Sequence, residues 1–327
     1  MKNPLISILI PMYNAAEYIE RAVLSATRQT YENIEILIVD NCSTDNSVEI
    51  VKGISDTRIK LYQNEANLGF SGNINRGIDL CNGEYIKFLC ADDELRENAV
   101  EKLYEFAQAT ESDVLYCNGY FIDENNRLIY DRGSYKRDLL LDYTHANCKK
   151  ILTGKYNISC CVSYLFLKND RALNDRVYFI KIDGSDYNSD LVFLFDNFKK
   201  FQRLSYVNRN LVLLRRHVGQ GTYHVNGTDI FFKPLKFHQC IIKNHNLKIK
   251  GTARFRYRFY IFKNGCNAYL KSQRKIPKAV YKQTVKEFGF GYYLILALYV
   301  PFVYAPKKLI NKARSRRLNR RKKNENI

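Results

Sequence analysis

Between residues 5 and 120 the chain alternates short, mainly apolar runs with longer segments whose apolar residues recur at helical spacing. Leu5–Pro11, Ile34–Asp40, Ile59–Tyr62, Tyr85–Cys90 and Val114–Cys117 read as strands. A mainly apolar run of that length suits a strand buried on both faces. Ala15–Arg28 places Ala16, Ile19, Val23 and Ala26 on one helical stripe. Asp45 reads as the cap of a short helix through Val48 and Ile50–Val51, and Ser71–Cys81 and Glu97–Ala109 complete the set. Strands alternating with helices of this length predict right-handed βαβ units and a mostly parallel sheet flanked by helices, an α/β fold. The glycine-rich dinucleotide fingerprint is missing after the first strand, where PMYNAAEY stands, and no Walker A sequence occurs.

Beyond residue 120 the alternation loosens. Tyr120–Ile122 and Leu128–Tyr130, bridged by Asp123–Arg127, predict a hairpin. Val162–Leu167 reads as a strand, Asp190–Lys200 as a helix, and Leu204–Leu214 as one or two strands. Charge marks a boundary: residues 226–327 carry 25 Lys/Arg against 3 Asp/Glu, so the whole net charge of +19 sits in that part. The division expected is a body over 1–225 and a helical, aromatic, basic region over 226–327, meeting different partners. The nine cysteines include no Cys-x-x-Cys pair, and several fall in apolar runs where Cys acts as a small hydrophobe, so a reduced, cytoplasmic protein is expected. The opening MKNPLISILIPMYN reaches Pro11 after too short an apolar run for a signal peptide.

An open parallel sheet binds ligands outside the carboxyl ends of its strands. Those ends carry Pro11-Met12-Tyr13-Asn14, Asp40-Asn41 and Cys90-Ala91-Asp92-Asp93. Asp40, Asp92 and Asp93 would gather at one edge, where neighbouring carboxylates repel unless a cation lies between them or one is protonated. The alternative for a strand-end Asp is to cap the turn that follows it.

Four ordered segments carry a resemblance: Ser7–Asn14 (SILIPMYN), Ile36–Asp45 (ILIVDNCSTD), Asn67–Gly69 (NLG) and Gly83–Asp93 (GEYIKFLCADD). Together they resemble the nucleotide-binding half of the family-2 glycosyltransferases, inverting enzymes of the GT-A fold. The resemblance is firm over the first third and weakens toward residue 225. It implies that residues 1–120 bind a nucleotide sugar and that 121–225 form the acceptor half. On that footing Tyr13 would lie against the nucleobase and Pro11 would line its pocket. Asp40 would accept a hydrogen bond from the base, favouring a UDP- or dTDP-sugar. Asn67 and Gly69 would shape the loop beside the ribose. Asp92 would hold the ribose or the metal shell, and Asp93 would ligate Mg²⁺ or Mn²⁺ on the diphosphate, where a divalent cation suits the charge developing on the leaving group. Two departures concern donor choice: Cys90 stands where the family usually has a first carboxylate, and Ile74 where it often has Arg before the Asn at 75.

Inverting transfer also needs a carboxylate to take the proton from the acceptor hydroxyl. In the family it opens a helix that is followed by an Arg-x-His segment, and Ser189-Asp190 before LVFLF, then Arg215-Arg216-His217, match that order. Asp190 is the choice, with Asp186 and Asp183 as alternatives; its plainer role would be to cap the helix. Arg215 and His217 would help neutralise the diphosphate. The other histidines show no ligand spacing.

In the basic region, Phe288–Ala305 is apolar over 18 residues, broken by Pro301, rich in tyrosine and phenylalanine and followed by Lys307-Lys308. That composition fits an in-plane anchor on an anionic membrane better than a span. Arg254–Tyr260 alternates Arg with aromatics, a pattern that also binds nucleic acid, but no RNA or DNA module accompanies it and no nucleic-acid partner is expected. The whole reading is a metal-dependent transferase acting on a glycan or polyprenyl-diphosphate-linked acceptor in bacterial cell-surface polysaccharide synthesis, held at the inner face of the plasma membrane. Its competitors are a degenerate nucleotide- or lipid-binding module and a basic membrane- or RNA-binding protein.

Overall fold

A computed structural model of the chain describes residues 3–131, 136–152, 155, 156, 158, 161–169, 176–181, 186, 189–217 and 229–248. In chain order the elements are β1 (Ile6–Met12), α1 (Ile19–Thr27), β2 (Ile34–Asp40), α2 (Ser47–Lys52), β3 (Ile59–Gln63), α3 (Gly69–Leu80), β4 (Tyr85–Phe88), β5 (Glu94–Leu95), α4 (Ala99–Thr110), β6 (Val114–Ile122), β7 (Leu128–Asp131), β8 (Leu139–Asp142), α5 (His145–Leu152), β9 (Leu165–Lys168), α6 (Ser189–Phe201), β10 (Arg203–Arg215) and α7 (Asp229–Asn244). Two compact units divide them. The first contains the main sheet and its helices; the second takes in Ile129–Asp131, Lys149–Tyr156 and the chain from His217 onward, which includes α7.

The sheet of the first unit runs β3-β2-β1-β4-β9-β6-β10-β5, with β8 also on β10. Its first half is parallel: β1 pairs β2 from Ile6↔Ile34 to Met12↔Asp40, β2 pairs β3, and β1 pairs β4 on its other side. Both β1 and β2 are buried along their whole length, mainly by apolar residues, with Ser7, Glu35 and Asp40 as their buried polar positions. The second half is mixed, which corrects the expectation of a mostly parallel sheet. Strand β9 enters antiparallel between β4 and β6, and β5 and β8 are antiparallel to β10; only β6–β10 is parallel there.

Helices α1 and α3 lie on the parallel half through apolar stripes, Ile19, Ala22, Val23 and Ala26 in α1 and Ile74 and Ile78 in α3. Gly77 lets α3 sit directly on β1: a Cβ there would lie 2.4 Å from the Leu9 Cδ1 atom. At the amino-terminal edge of the sheet, buried Glu35 accepts hydrogen bonds from Ser7 Oγ, Lys60 Nζ (2.7 Å) and the Asn82 N–H (2.6 Å). Burial pushes its carboxyl up, but those donors outweigh it and hold the carboxyl below the usual range. This cluster pins the edge remote from the strand ends that matter for binding.

Other boundaries differ from expectation for local reasons. Helix α1 starts at Ile19, four residues late, because the main chain of Asn14, Ala15 and Ala16 is tied to the loop after β2. Val114–Cys117 and Tyr120–Ile122 are one strand, β6, and Leu204–Leu214 lies in one 13-residue strand, β10, whose pairing with β6 shifts register between Tyr206 and Val212. The turn Asp123–Arg127 forms, with Asp123 Oδ1 accepting the N–H groups of Asn125 and Arg127. Among the described residues no helix is long and apolar enough to cross a membrane. Asp183, Arg254–Tyr260, the boundary at 225 and the apolar stretch at 288–305 lie outside the described residues.

Candidate functional site

Strand order reverses at β1, which has β2 on one side and β4 on the other, so a crevice opens at their carboxyl ends. The residues following those ends are the ones singled out from sequence. Pro11 is buried within β1, and Tyr13, just past its end, is 49% exposed, a large aromatic face left open at the crevice. The loop carrying Tyr13 is clasped to the loop after β2. Asn14, at φ 46°, accepts the Thr44 N–H on its Oδ1 (2.8 Å) and donates its own N–H to Ser43 Oγ (2.9 Å); Ala15 donates to Ser47 Oγ (2.8 Å) and Ala16 to Asp45 Oδ2 (3.0 Å). Asn14, Ser43, Asp45 and Ser47 therefore belong together because they fix the two loops that flank the crevice.

Asp40 is 1% exposed, and its carboxylate accepts the Ser43 hydroxyl and the Ser43 N–H (3.2 and 3.3 Å). It thus caps its own turn, in which Cys42 takes a φ of 64°. A carboxylate has about four acceptor positions, so this turn leaves it able to accept from a ligand as well. A chain of amides continues sideways. Asn41 donates to Asn67 Oδ1 (2.8 Å) and accepts the Leu68 N–H (2.8 Å), and Asn67 Oδ1 also takes the Gly69 N–H (2.8 Å). Gly69 has φ +73°, a backbone conformation that asks for glycine, and a Cβ there would lie 2.7 Å from Lys181 Nζ, the movable end of a flexible side chain.

After β4 the acidic loop is braced from the turn before β9 and from β10. Asp93, 3% exposed, accepts Ser163 Oγ on Oδ2 (2.6 Å) and the Arg215 N–H on Oδ1 (2.9 Å). Burial pushes its carboxyl well above the usual range and the charge of Asp92 adds to this, against the two hydrogen bonds. Ser163 also accepts the Cys90 N–H (2.9 Å), and its carbonyl takes Lys87 Nζ. The fully buried Lys87 ammonium is pulled below its ordinary range by desolvation. Motif spacing singled out neither Ser163 nor Lys87. Lys87 left a signal, a lysine inside the apolar run YIKFLC, whereas Ser163 left none.

The Cys90 sulfur and carboxylate oxygens of Asp92 and Asp93 lie within 4.8 Å of one another, the group among the described residues suited to a cation. Burial pushes the Cys90 thiol well up, and a soft sulfur is a poor ligand for a hard ion. Hard oxygen donors from the two aspartates fit Mg²⁺ or Mn²⁺. Asp92 is the more accessible of the two; Asp93 lies behind it, holding the loop.

Arg215 ends β10. It is 0% exposed, with Nε on the Asp92 carbonyl (3.0 Å), Nη1 on the Asp123 carbonyl (2.9 Å) and Asn126 Oδ1, and Nη2 on Glu94 Oε1. Its guanidinium is buried and braces the acidic loop. The motif position alone could not reveal that placement. His217 belongs to the second unit. Asp190 lies in the first turn of α6, where its Oδ1 accepts the Leu191 N–H (2.8 Å). Asp186 lies instead against α3, its Oδ1 accepting the Ser71 N–H (3.3 Å).

Comparison with known proteins gives a family match and a likeness of fold. The family model described as Glycosyl transferase family 2 matches residues 7–173, a span that includes every site residue from Pro11 to Asp93. Glycosyltransferase GlyG of Streptococcus pneumoniae is 30% identical over 221 residues, 66% of this chain and 72% of that protein. The Escherichia coli UDP-Glc:alpha-D-GlcNAc-diphosphoundecaprenol beta-1,3-glucosyltransferase WfaP is 30% identical over 277 residues, 83% of this chain and 97% of that protein. Among solved structures, Staphylococcus aureus TarS 1–349 in complex with UDP-GlcNAc superposes with a TM-score of 0.62 at 18% identity, covering 88% of this chain and 80% of that one, a likeness of fold.

Proposed function

The chain belongs to glycosyltransferase family 2, and from that premise we propose that it is an inverting enzyme moving a sugar from a uridine or thymidine diphosphate donor to a lipid-linked glycan acceptor. The observation that carries this reading is that Tyr13, Asp40, Asp92 and Asp93 all stand at or just after the carboxyl ends of the adjacent parallel strands β1, β2 and β4, with Asp92 and Asp93 close together. Tyr13 offers its open ring to the base, Pro11 lines the pocket, and Asp40 accepts the ring N–H with the lone pairs its turn leaves free. Asn67 and Gly69 hold the loop beside the ribose. Asp92, backed by Asp93, would hold Mg²⁺ or Mn²⁺, which supplies positive charge beside the departing diphosphate. Asp190 takes the proton of the acceptor hydroxyl as that oxygen bonds to the anomeric carbon and the bond to the diphosphate oxygen breaks from the opposite face.

The relatives support the substrate classes: WfaP is named for UDP-Glc and a diphosphoundecaprenol-linked GlcNAc, and TarS was solved with UDP-GlcNAc. For this chain a UDP-sugar and a polyprenyl-diphosphate-linked acceptor follow by analogy. The basic 226–327 region would keep the enzyme on the anionic inner face of the plasma membrane, in cell-surface polysaccharide synthesis. The test is transfer from UDP-glucose, in Mn²⁺, to a synthetic polyprenyl-diphosphate GlcNAc, with the anomeric configuration read by NMR; UDP-GlcNAc, UDP-galactose and dTDP-glucose serve as further donors. The expected product is β-linked from the α-linked donor. An α-linked product contradicts inversion. Nucleotide binding without transfer from any donor would favour the degenerate binding module.

A further inference from the structure

Residues 176–181 and Asp186, which precede α6, are fastened along the surface of α3, and the fastening reaches the helix that carries Asp190. Arg176 Nη1 (3.0 Å) and Tyr178 Oη (2.7 Å) both donate to Asp79 Oδ1 near the end of α3. Near its middle, Asn75 Nδ2 donates to the Phe179 carbonyl and Asn75 Oδ1 accepts the Phe179 N–H, both at 2.8 Å. At its start Lys181 Nζ donates to the Leu68 carbonyl (3.2 Å), and Asp186 accepts the Ser71 N–H on Oδ1 while its carbonyl takes the N–H of Ser189, the first residue of α6 (3.1 Å).

Of these ties Asn75 is the one that a side-chain amide makes in the manner of a β-strand partner, satisfying donor and acceptor of one residue together. Phe179, so held, is 3% exposed, and its ring stacks on Phe193 of α6 at 3.9 Å and 14°. The same two rings pack on Phe88, at 6.4 Å from Phe179 and 6.2 Å from Phe193, just before the acidic loop. Phe193 follows Asp190 by three residues, so the two lie on neighbouring positions of one helix face.

We propose that Asn75 is a positioning residue for transfer: by clamping Phe179 against Phe193 it sets the first turn of α6, and with it Asp190, relative to the donor-side helix α3. The inference rests on the family-2 reading and on Asp190 as base, and adds a residue outside the donor pocket to the machinery. Position 75 is separated from Phe179 by 104 residues, so local sequence pattern gives no hint of the pairing.

The test is Asn75→Ala in the full chain. Turnover should fall roughly ten- to a hundredfold, because an ångström-scale displacement of a reacting group has that effect, while the KM for the donor stays within about twofold. The chain has no tryptophan, so Phe193→Trp supplies a single fluorescent reporter beside the clamp. Asn75→Ala in that background should move its emission to longer wavelength as water reaches the stack. Unchanged turnover overturns the proposal, whether the emission moves or not: a moved emission then shows a clamp that serves stability alone. A rise in donor KM with kcat retained also overturns it. Failure of the underlying reading is seen separately, as absence of transfer by the unsubstituted chain.

Discussion

Asp190→Asn should lower turnover by roughly 10²- to 10⁴-fold while nucleotide affinity stays within about twofold. An amide of the same shape preserves the first turn of α6 and its packing but cannot accept the acceptor's proton. The effect therefore belongs in kcat, and an interaction made only in the transition state lowers kcat and kcat/KM together. Asp186→Asn is the comparison. Asp186 accepts the Ser71 N–H at the start of α3, beside Gly69, so its replacement should act on the donor loop and raise donor KM with a smaller loss of turnover. Steady-state kinetics of both variants decides between them. Near-normal turnover in Asp190→Asn with inactivity in Asp186→Asn would transfer the base to Asp186.

Arg215→Met should destabilise the chain by about 3–5 kcal/mol, the range found on breaking one side of a buried ion pair. Methionine fills much of the arginine volume, so the loss reports the missing guanidinium rather than a cavity. Three consequences combine. The Glu94 carboxylate, 15% exposed, loses its partner; the carbonyls of Asp92 and Asp123 lose their donor; and the turn at Asn126 loses its tie to β10. For a chain of this size the melting temperature should fall by roughly 10 °C. Differential scanning calorimetry measures it directly. A fall of about 2 °C or less, with binding of a nucleotide diphosphate lost, would return Arg215 to the ligand-contact role its motif suggested.

Much of this fold could be read from the chain because its first half obeys two periods without conflict. Strands β1 and β2 are buried on both faces and therefore mainly apolar, Ser7, Glu35 and Asp40 apart, and α1 and α3 show the stripe that covers them. The second half is less legible for physical reasons. Asn118-Gly119 and Asn208–Asn210 look like turns, yet they lie within β6 and β10, where the register shift between those strands absorbs them. The antiparallel entry of β9 is a long-range choice of partner that no local residue announces. At the site, motif spacing located Tyr13, Asp40, Asp92 and Asp93 on the strand ends, since strand ends are where such motifs must be. It could not say which way a side chain points. Arg215 turns inward, and Asp93 is buried and held by Ser163, a contact across 70 residues.

Stabilisation of the protein by nucleotide diphosphates, measured as a thermal shift with UDP, dTDP, GDP and CDP in the presence and absence of Mn²⁺, tests the central claim most directly, because a ligand raises stability by RT ln(1 + [L]/Kd). The expected result is a shift with UDP or dTDP that needs Mn²⁺ and disappears in Asp92→Asn, whose carboxylate is the accessible one at the acidic loop. Equal shifts with and without Mn²⁺, or a shift that survives Asp92→Asn intact, would contradict the metal-assisted donor site; no shift with any of the four nucleotides would contradict the nucleotide-sugar reading itself.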